Sequence, residues 1–483
     1  MLRADSLGSA TRGNLAGAGL VAGAAAMGLM VGTPAGIRIA LALPVAVLVV
    51  VFGLRAPRAV LVCLVVWFVA LGTTRRLVSG VSAKETYGDP LLLVGTVAWT
   101  ILAVVAIRRG ALQSRDRLTT AVPILAGLLG VSALNPLQGG LAVGLSGALA
   151  VVVPMAAFLV GRSLVDGKLL RRLLGLVAWL GLVVAAYGLY QTFVGFPPWD
   201  ERWVAEQGYT ALNVNGVTRA FASFSAAADY ASFLGMAVVV WVAQARGLAR
   251  SSGCLAALAL LGSALWYESA RGTIVLTVVA VSFVVAARAG LTLGRSLLFG
   301  AAVLLALPVV IGRLAPAQFS DEAGDQLAKH QIEGLTDPFG EKSTLPLHID
   351  LVSGGITAAL DDPLGVGVGA VSIGGAKYGG ANVGSAEADP ANVAIAAGFP
   401  GLIAYLAVVV LGVPRLYRQA ARRRDPLSLA ALGMVIVTSL HWLNGGLYAT
   451  GFWPWLILGW SVARTASEGP QPKEVGSPEM MNA

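Results

Sequence analysis

Charge is scarce in this chain of 483 residues: about 12% of them are Asp, Glu, Lys or Arg, while 57% are apolar and the mean hydropathy is +0.77. A soluble domain carries nearer a quarter charged residues, so this composition excludes a water-soluble globule. Cysteine is nearly absent, and Cys63 and Cys254 both lie in apolar runs, which excludes a disulfide framework and a cysteine-based zinc site. The three histidines, His330, His348 and His441, are scattered, which argues against a histidine-rich metal centre. The glycine-rich runs have no GK[ST] ending and no preceding strand, so a nucleotide-binding loop is excluded. No internal repeat is visible, which argues against transporters built from duplicated halves.

What is present is apolar sequence in long runs, rich in the small residues that let membrane helices approach closely. Segments near 13–33, 38–54, 58–73, 90–107, 119–135, 140–160, 172–194, 226–245, 253–267, 272–287, 296–312, 391–413, 427–446 and 450–463 are candidates to cross a bilayer. The expected fold class is an all-α polytopic membrane protein with about 12–14 transmembrane helices. The first segment follows Arg3 and Arg12 and reads as a retained signal anchor. Threading the spans with the N-terminus inside puts about two thirds of the Lys and Arg on the inner face and most acids on the outer one, so both termini are expected to be cytoplasmic. The basic excess is therefore a topology signal and calls for no nucleic acid. The expected organisation is a transmembrane bundle over 1–313, an outer-face loop region over 314–390, further transmembrane helices over 391–465 and a disordered inner tail over 466–483. The outer loop is too long to be structureless, so short helices over the membrane surface are expected, the best candidate being Leu347–Leu360.

Outer-edge clusters carry the chemistry. Thr218-Arg219-Ala220-Phe221-Ala222-Ser223-Phe224-Ser225 leads into a span, and Glu268-Ser269-Ala270-Arg271-Gly272 joins two spans with almost no loop. Arg219 and Arg271 stand at the same expected membrane depth, with Arg75 and Arg76 at a similar level after the third span. Guanidinium forks match phosphate oxygens, so these four arginines, with Ser223, form a candidate lipid-diphosphate site. Snorkelling to lipid headgroups accounts for Arg219, and a neutralising Glu268–Arg271 pair for the second cluster, as the alternatives. A third cluster, Asp361-Asp362-Pro363-Leu364-Gly365-Val366-Gly367-Val368-Gly369, precedes Glu387, Asp389, Asn392, Gly398 and Gly401; its glycines suit turns that return the chain to the membrane edge. Trp199, beside Phe196 and Trp203, fits a sugar-stacking ledge or, equally, an interfacial aromatic belt.

In their order, Arg219 to Phe224 before a span, Ser269-Ala270-Arg271-Gly272 between spans, Pro363 to Gly369 in the large loop and Gly398-Phe399-Pro400-Gly401 opening the next span resemble the O-antigen ligase and Wzy-type polymerase family. The resemblance covers roughly 180–460 and implies a C-type glycosyltransferase fold (GT-C-like) in a bacterial plasma (inner) membrane. It implies a polyprenyl-diphosphate-linked saccharide as donor on the outer face, a glycan or other hydroxyl acceptor, and no metal or other cofactor. It also places Arg219 and Arg271 at the diphosphate-binding arginine positions. The expected partners are that donor, the acceptor, membrane lipids and other proteins of envelope polysaccharide assembly. The chain departs from the ligase branch, which carries a histidine before the GxxG entry, where Glu387-Ala388-Asp389-Pro390-Ala391-Asn392 stands here. That departure favours a polymerase or another acceptor over ligation to lipid A.

Diphosphate is a good leaving group, and arginines neutralising its developing charge can substitute for a metal ion. The acceptor hydroxyl needs a base, and Asp389, Glu387 and Glu268, with His348 behind them, are the candidates. Each is alternatively a solvated acid or an ion-pair partner. Asp229, near Tyr230 at the start of a span, is a further intramembrane acid that could face Arg219. The competing classes are a membrane transporter or lipid-linked saccharide flippase, and a non-catalytic scaffold; a transporter calls for polar sites near mid-membrane, whereas here charge gathers at span ends.

Overall fold

A computed structural model describes residues 34–78, 89–113, 115–207, 213–245 apart from 215, 252–340 apart from 317, 343, 345–372 and 388–466. The expected signal anchor, Glu387 and the inner tail beyond Ala466 lie outside the described residues. The helices are α1 (Pro34–Arg55), α2 (Pro57–Leu77), α3 (Pro90–Arg108), α4 (Arg117–Ser132), α5 (Leu141–Met155), α6 (Ala157–Leu164), α7 (Gly167–Phe193) and α8 (Pro198–Gln207). After a two-residue hairpin, β1 (Asn213–Val214) and β2 (Val217–Thr218), come α9 (Ala227–Gln244), α10 (Ser252–Glu268), α11 (Arg271–Ala289), α12 (Leu293–Leu314), α13 (Ala323–Thr336), α14 (Leu345–Asp361), α15 (Asp389–Arg423), α16 (Pro426–Val437) and α17 (Trp453–Ala466). Among the described residues nine helical stretches are long and apolar enough to cross a membrane, with Leu141–Leu164 counted as one. Three shorter apolar helices, α4, α10 and α16, accompany them. The chain is a multi-pass helical membrane protein.

Sequence chemistry sets the helix ends. Proline, whose fixed φ suits the first turn, opens α2, α3 and α16. Asp89, Asp116, Asp166 and Asp425 cap α3, α4, α7 and α16 by accepting main-chain amides. All four caps also pair with arginine: Asp166 with Arg58 at 3.0 Å, Asp116 with Arg415 at 2.6 Å, Asp425 with Arg464 at 3.4 Å, and Asp89 with both Arg38 at 2.9 Å and Arg75 at 2.7 Å.

The core is centred on α16, every residue of which from Leu427 to Val437 is buried. A helix apolar all round belongs inside, and α9, α11 and α15 pack around it. At the opposite extreme α12 leaves Leu298 and Leu305 more than 70% exposed. Such a face calls for lipid rather than water.

The apolar segment at 427–446, expected as one span, is helical only as far as Val437. From Thr438 to Phe452 the chain runs through successive turns, mostly buried, before α17 begins. Two aspartates replace the missing helical acceptors. Asp389, the first residue of α15, accepts from the amides of Trp442 at 2.5 Å and Leu443 at 3.1 Å, and Asp229, in the first turn of α9, accepts from the amide of Ala449 at 3.1 Å and the hydroxyl of Thr450 at 2.8 Å. Irregular backbone is tolerated inside a membrane protein when the protein itself satisfies its polar groups.

The glycine-rich run proves to be one half of a backbone interlock. The amides of Val366 and Gly367 donate to Ile395 and Ala396 carbonyls at 2.8 and 3.0 Å, and Phe399 donates to Pro363 at 3.0 Å. At this contact α15 is kinked, with Ala397 and Gly398 non-helical. Gly398 has φ +59°, and a Cβ there would overlap the Pro363 carbonyl. The run is also tied to the helices before it: Gln138, fully buried, accepts from Gly369 at 2.9 Å, and Asn135 donates to the Gly365 carbonyl at 2.8 Å.

Candidate functional site

Three segments far apart in the chain meet at one end of the bundle: residues 217–225, the Glu268–Arg271 turn between α10 and α11, and helix α13, which packs on α10, α11 and the hairpin.

The first segment is held from below. Gln191 on α7 accepts from the amides of Phe221 and Ala222 at 3.1 and 2.7 Å, while Arg76 at the end of α2 donates to the carbonyls of Ala222 and Phe224, each at 2.6 Å. Anchored at both its amide and its carbonyl, Ala222 takes φ +46°, a left-handed conformation unusual for a residue with a Cβ. Gly72 lets the segment lie directly on α2, since a Cβ there would overlap Phe224. Thr73 donates to the Ser223 carbonyl at 2.9 Å, and the Ser223 hydroxyl is buried without a protein partner among the described residues.

Arg75 and Arg76 are committed to the protein in this arrangement. Arg76 pairs with Asp200 at 2.6 Å, with neither side chain exposed, and Asp200 also accepts from Tyr187 at 2.5 Å and Gln191 at 2.7 Å. Trp199, partly exposed on α8, donates to the Tyr187 hydroxyl at 3.3 Å, so the aromatic ledge rests on the same network. Arg75 donates to Asp89 at 2.7 Å and to Ser225 at 3.0 Å, and Arg38 reaches the same Asp89 at 2.9 Å.

Arg219 and Arg271 stand differently. Arg219 donates to the Glu268 carbonyl at 2.9 Å and to the Glu268 carboxylate at 2.5 Å; the other carboxylate oxygen accepts from the Ala270 amide at 3.0 Å. Ser269 between them has φ +72°, which folds the turn tightly enough for Arg271 to open α11 on the same side. Arg271 donates through Nη2 to both Nδ1 and the carbonyl of His330 on α13, at 2.8 and 2.7 Å. Its Nε and Nη1 are buried without a protein partner among the described residues. Gly334, one turn beyond His330, gives the guanidinium room, because a Cβ there would overlap it.

His330 thus lies in the field of both arginines. Burial first, and then the positive charges of Arg271 and Arg219, push its pKa down to about 4, against a smaller opposing effect of Glu333. Because arginine has only donors, the Nδ1 that Arg271 meets must be the unprotonated acceptor of a neutral ring.

Of the residues singled out from sequence, the fold therefore brings Arg219, Glu268 and Arg271 into one cluster and sets Arg75, Arg76, Ser223 and Trp199 in the framework beneath it. Asp389 is elsewhere: its carboxylate is buried and turned toward 442–443, and it receives the Tyr405 hydroxyl at 3.3 Å. Asp229 faces 449–450 rather than Arg219, which corrects the pairing expected for it. His348 is half-buried on α14, which packs along α15. Sequence reasoning missed His330, Gln191 and the Arg38–Asp89 pair. A lone histidine in a polar stretch of the longest loop was the only signal for the first, and nothing in its spacing points to Arg271.

Beside Asp89 a cavity of about 370 Å³ opens between α3, α5 and the turns of 438–452. Trp99, Phe452 and Trp442 form its apolar wall, with Thr96 and Asn444 as polar points, and Leu93 and Leu149 at its margin are exposed on the apolar flank of the bundle. No protein-family model and no curated protein matches the chain.

Proposed function

We propose that this protein is an outer-face glycosyltransferase of the GT-C-like class, with about 12–14 spans, which polymerises or transfers saccharide from a polyprenyl-diphosphate donor without a metal ion. The observation that carries the reading is the grouping of Arg219, paired with Glu268 at the end of α10, and Arg271, which opens α11 and is held by His330. Two guanidinium groups at one helix-end level suit a membrane-anchored diphosphate.

In the proposed step an acceptor hydroxyl attacks the anomeric carbon while the bond from that carbon to the phosphate oxygen breaks, and the electron pair leaves with the lipid diphosphate. The arginines neutralise the charge that develops there. The hydroxyl proton passes to a carboxylate, and Glu268 is the candidate nearest the arginines; to serve, it must exchange its hydrogen bond from Arg219 for one to the acceptor. The test is incubation of purified protein in lipid nanodiscs with a labelled polyprenyl-diphosphate saccharide, followed by gel analysis. Chain growth or a single transfer supports the reading, and an unconsumed donor overturns it.

One observation favours the competing flippase reading. The cavity beside Asp89 opens on the apolar flank and could take part of a lipid-linked saccharide in transit. Movement of labelled donor across proteoliposomes with no change in its glycan would select that reading.

A further inference from the structure

Helix α13 contributes more than cover to the arginine cluster. His330 and Gly334 lie four residues apart on one face of it; the first supplies two acceptors to Arg271, and the second leaves space for the guanidinium plane. An arginine side chain has several rotatable bonds and little reason to hold one orientation at a membrane edge unless something fixes its head. Here one amino group is fixed by two acceptors from a single residue, while Nε and Nη1 have no protein partner among the described residues. Buried donors without partners are rare, and on a cation they are suited to an anionic ligand.

We propose that His330 is a positioning residue: its neutral imidazole, accepting at Nδ1, and its main-chain carbonyl hold the Arg271 guanidinium in the orientation in which it meets a phosphate group. The assignment rests on the reading of Arg271 as a diphosphate-binding residue. Protonation of His330 removes the Nδ1 lone pair and sets an imidazolium against Arg271, so the clamp opens in acid. The charged groups that govern this step are Arg271 on α11, Arg219 after β2 with its partner Glu268 at the end of α10, and Glu333 on α13 itself. The low pKa keeps the clamp closed throughout the neutral range.

Asparagine can place its side-chain oxygen where Nδ1 stands and does not titrate; leucine has no acceptor. In the nanodisc assay His330→Leu should raise the donor KM about tenfold or more, the scale of a lost hydrogen bond to a charged group, with kcat much less affected. His330→Asn should restore a near-normal KM and lack the acid limb expected of the wild type as pH falls toward 4. A wild-type KM in His330→Leu, or an acid limb that persists unchanged in His330→Asn, overturns the proposal. Nitrogen-15 imidazole spectra of the same preparations decide the clamp without turnover: His330 should carry its proton on Nε2 at pH 7, and an Nδ1–H tautomer overturns it. A wild type with the Nε2–H tautomer that consumes no donor refutes the glycosyltransferase reading while leaving the Arg271–His330 contact in place. In that case added inorganic pyrophosphate should still shift the His330 resonance in wild type and not in Arg271→Leu, and absence of that shift overturns the phosphate orientation as well.

Discussion

Five arginines crowd one end of this bundle, and their surroundings divide them into different tasks. Arg38, Arg75 and Arg76 are buried beneath the surface and meet aspartates, hydroxyls and main-chain carbonyls of the protein itself. Removing one partner of such a pair leaves the other charge buried, at a cost of about 3–5 kcal/mol. Arg76→Leu should therefore lower the melting temperature in detergent strongly, and activity with it, by releasing the segment that carries Arg219. Arg219→Lys and Arg271→Lys should behave in the opposite way: unchanged thermal stability, with turnover down about a hundredfold to a thousandfold because the charge remains and the fork is lost. Near-normal turnover in both lysine variants would remove the diphosphate role. His330 adds a pH dependence whose sign is fixed by the direction of its shift. Its ordinary pKa is near 6.5 and its folded value is about 4, so the unfolded chain takes up a proton that the folded one refuses. Stability contributed by the neutral ring is complete above about pH 6.5 and should fall as pH drops toward 4, and His330→Asn should flatten that part of a melting-temperature profile.

At the scale of elements the interlock between 363–369 and 395–399 is the sharpest junction. Gly398, at φ +59° and ψ −154°, occupies a region essentially restricted to glycine. Gly398→Ala should cost about 1–3 kcal/mol in strain alone, beyond the overlap with Pro363, and a melting temperature within a degree of wild type would contradict the packing. Both halves of this junction were visible in the sequence as glycine-rich motifs, but only as separate turns. That they are each other's partners depends on main-chain hydrogen bonds, which side-chain pattern does not encode. Hydropathy located most membrane helices because apolar length is a direct requirement of the bilayer. It failed at 427–446, where Trp442 and Leu443 continue the apolar run while their amides are taken by Asp389 in place of a helical turn. The arginine cluster was legible in part for a similar reason: Arg219, Glu268 and Arg271 sit at the ends of apolar runs, where charge stands out. His330 lies 59 positions from Arg271 in a polar helix, and only the folded contact singles it out.

For the whole molecule, sidedness is the first quantity to measure. Cysteines introduced at Ala323 and Ser467, with Cys63 and Cys254 replaced, should label from outside intact cells at the first position and not at the second. The reverse pattern would place the arginine cluster in the cytoplasm. Donor consumption should also persist in excess chelator; loss that magnesium restores would turn Glu268, Glu333 and their neighbours into ligand candidates. The short helix at the centre has a further bearing on how the protein is made. Twelve residues of α16 reach about 18 Å and fourteen of α17 about 21 Å, so neither alone matches a hydrocarbon layer of about 30 Å. Between them the amides of Trp442, Leu443 and Ala449 find acceptors in Asp389 and Asp229, which the ribosome delivers earlier. The C-terminal pair therefore cannot be stitched into lipid on its own hydrophobicity and has to settle into a berth already built by α9 and α15. Loss of Asp229 should accordingly be felt at the end of biogenesis, as a full-length chain whose last two helices remain open to proteolysis.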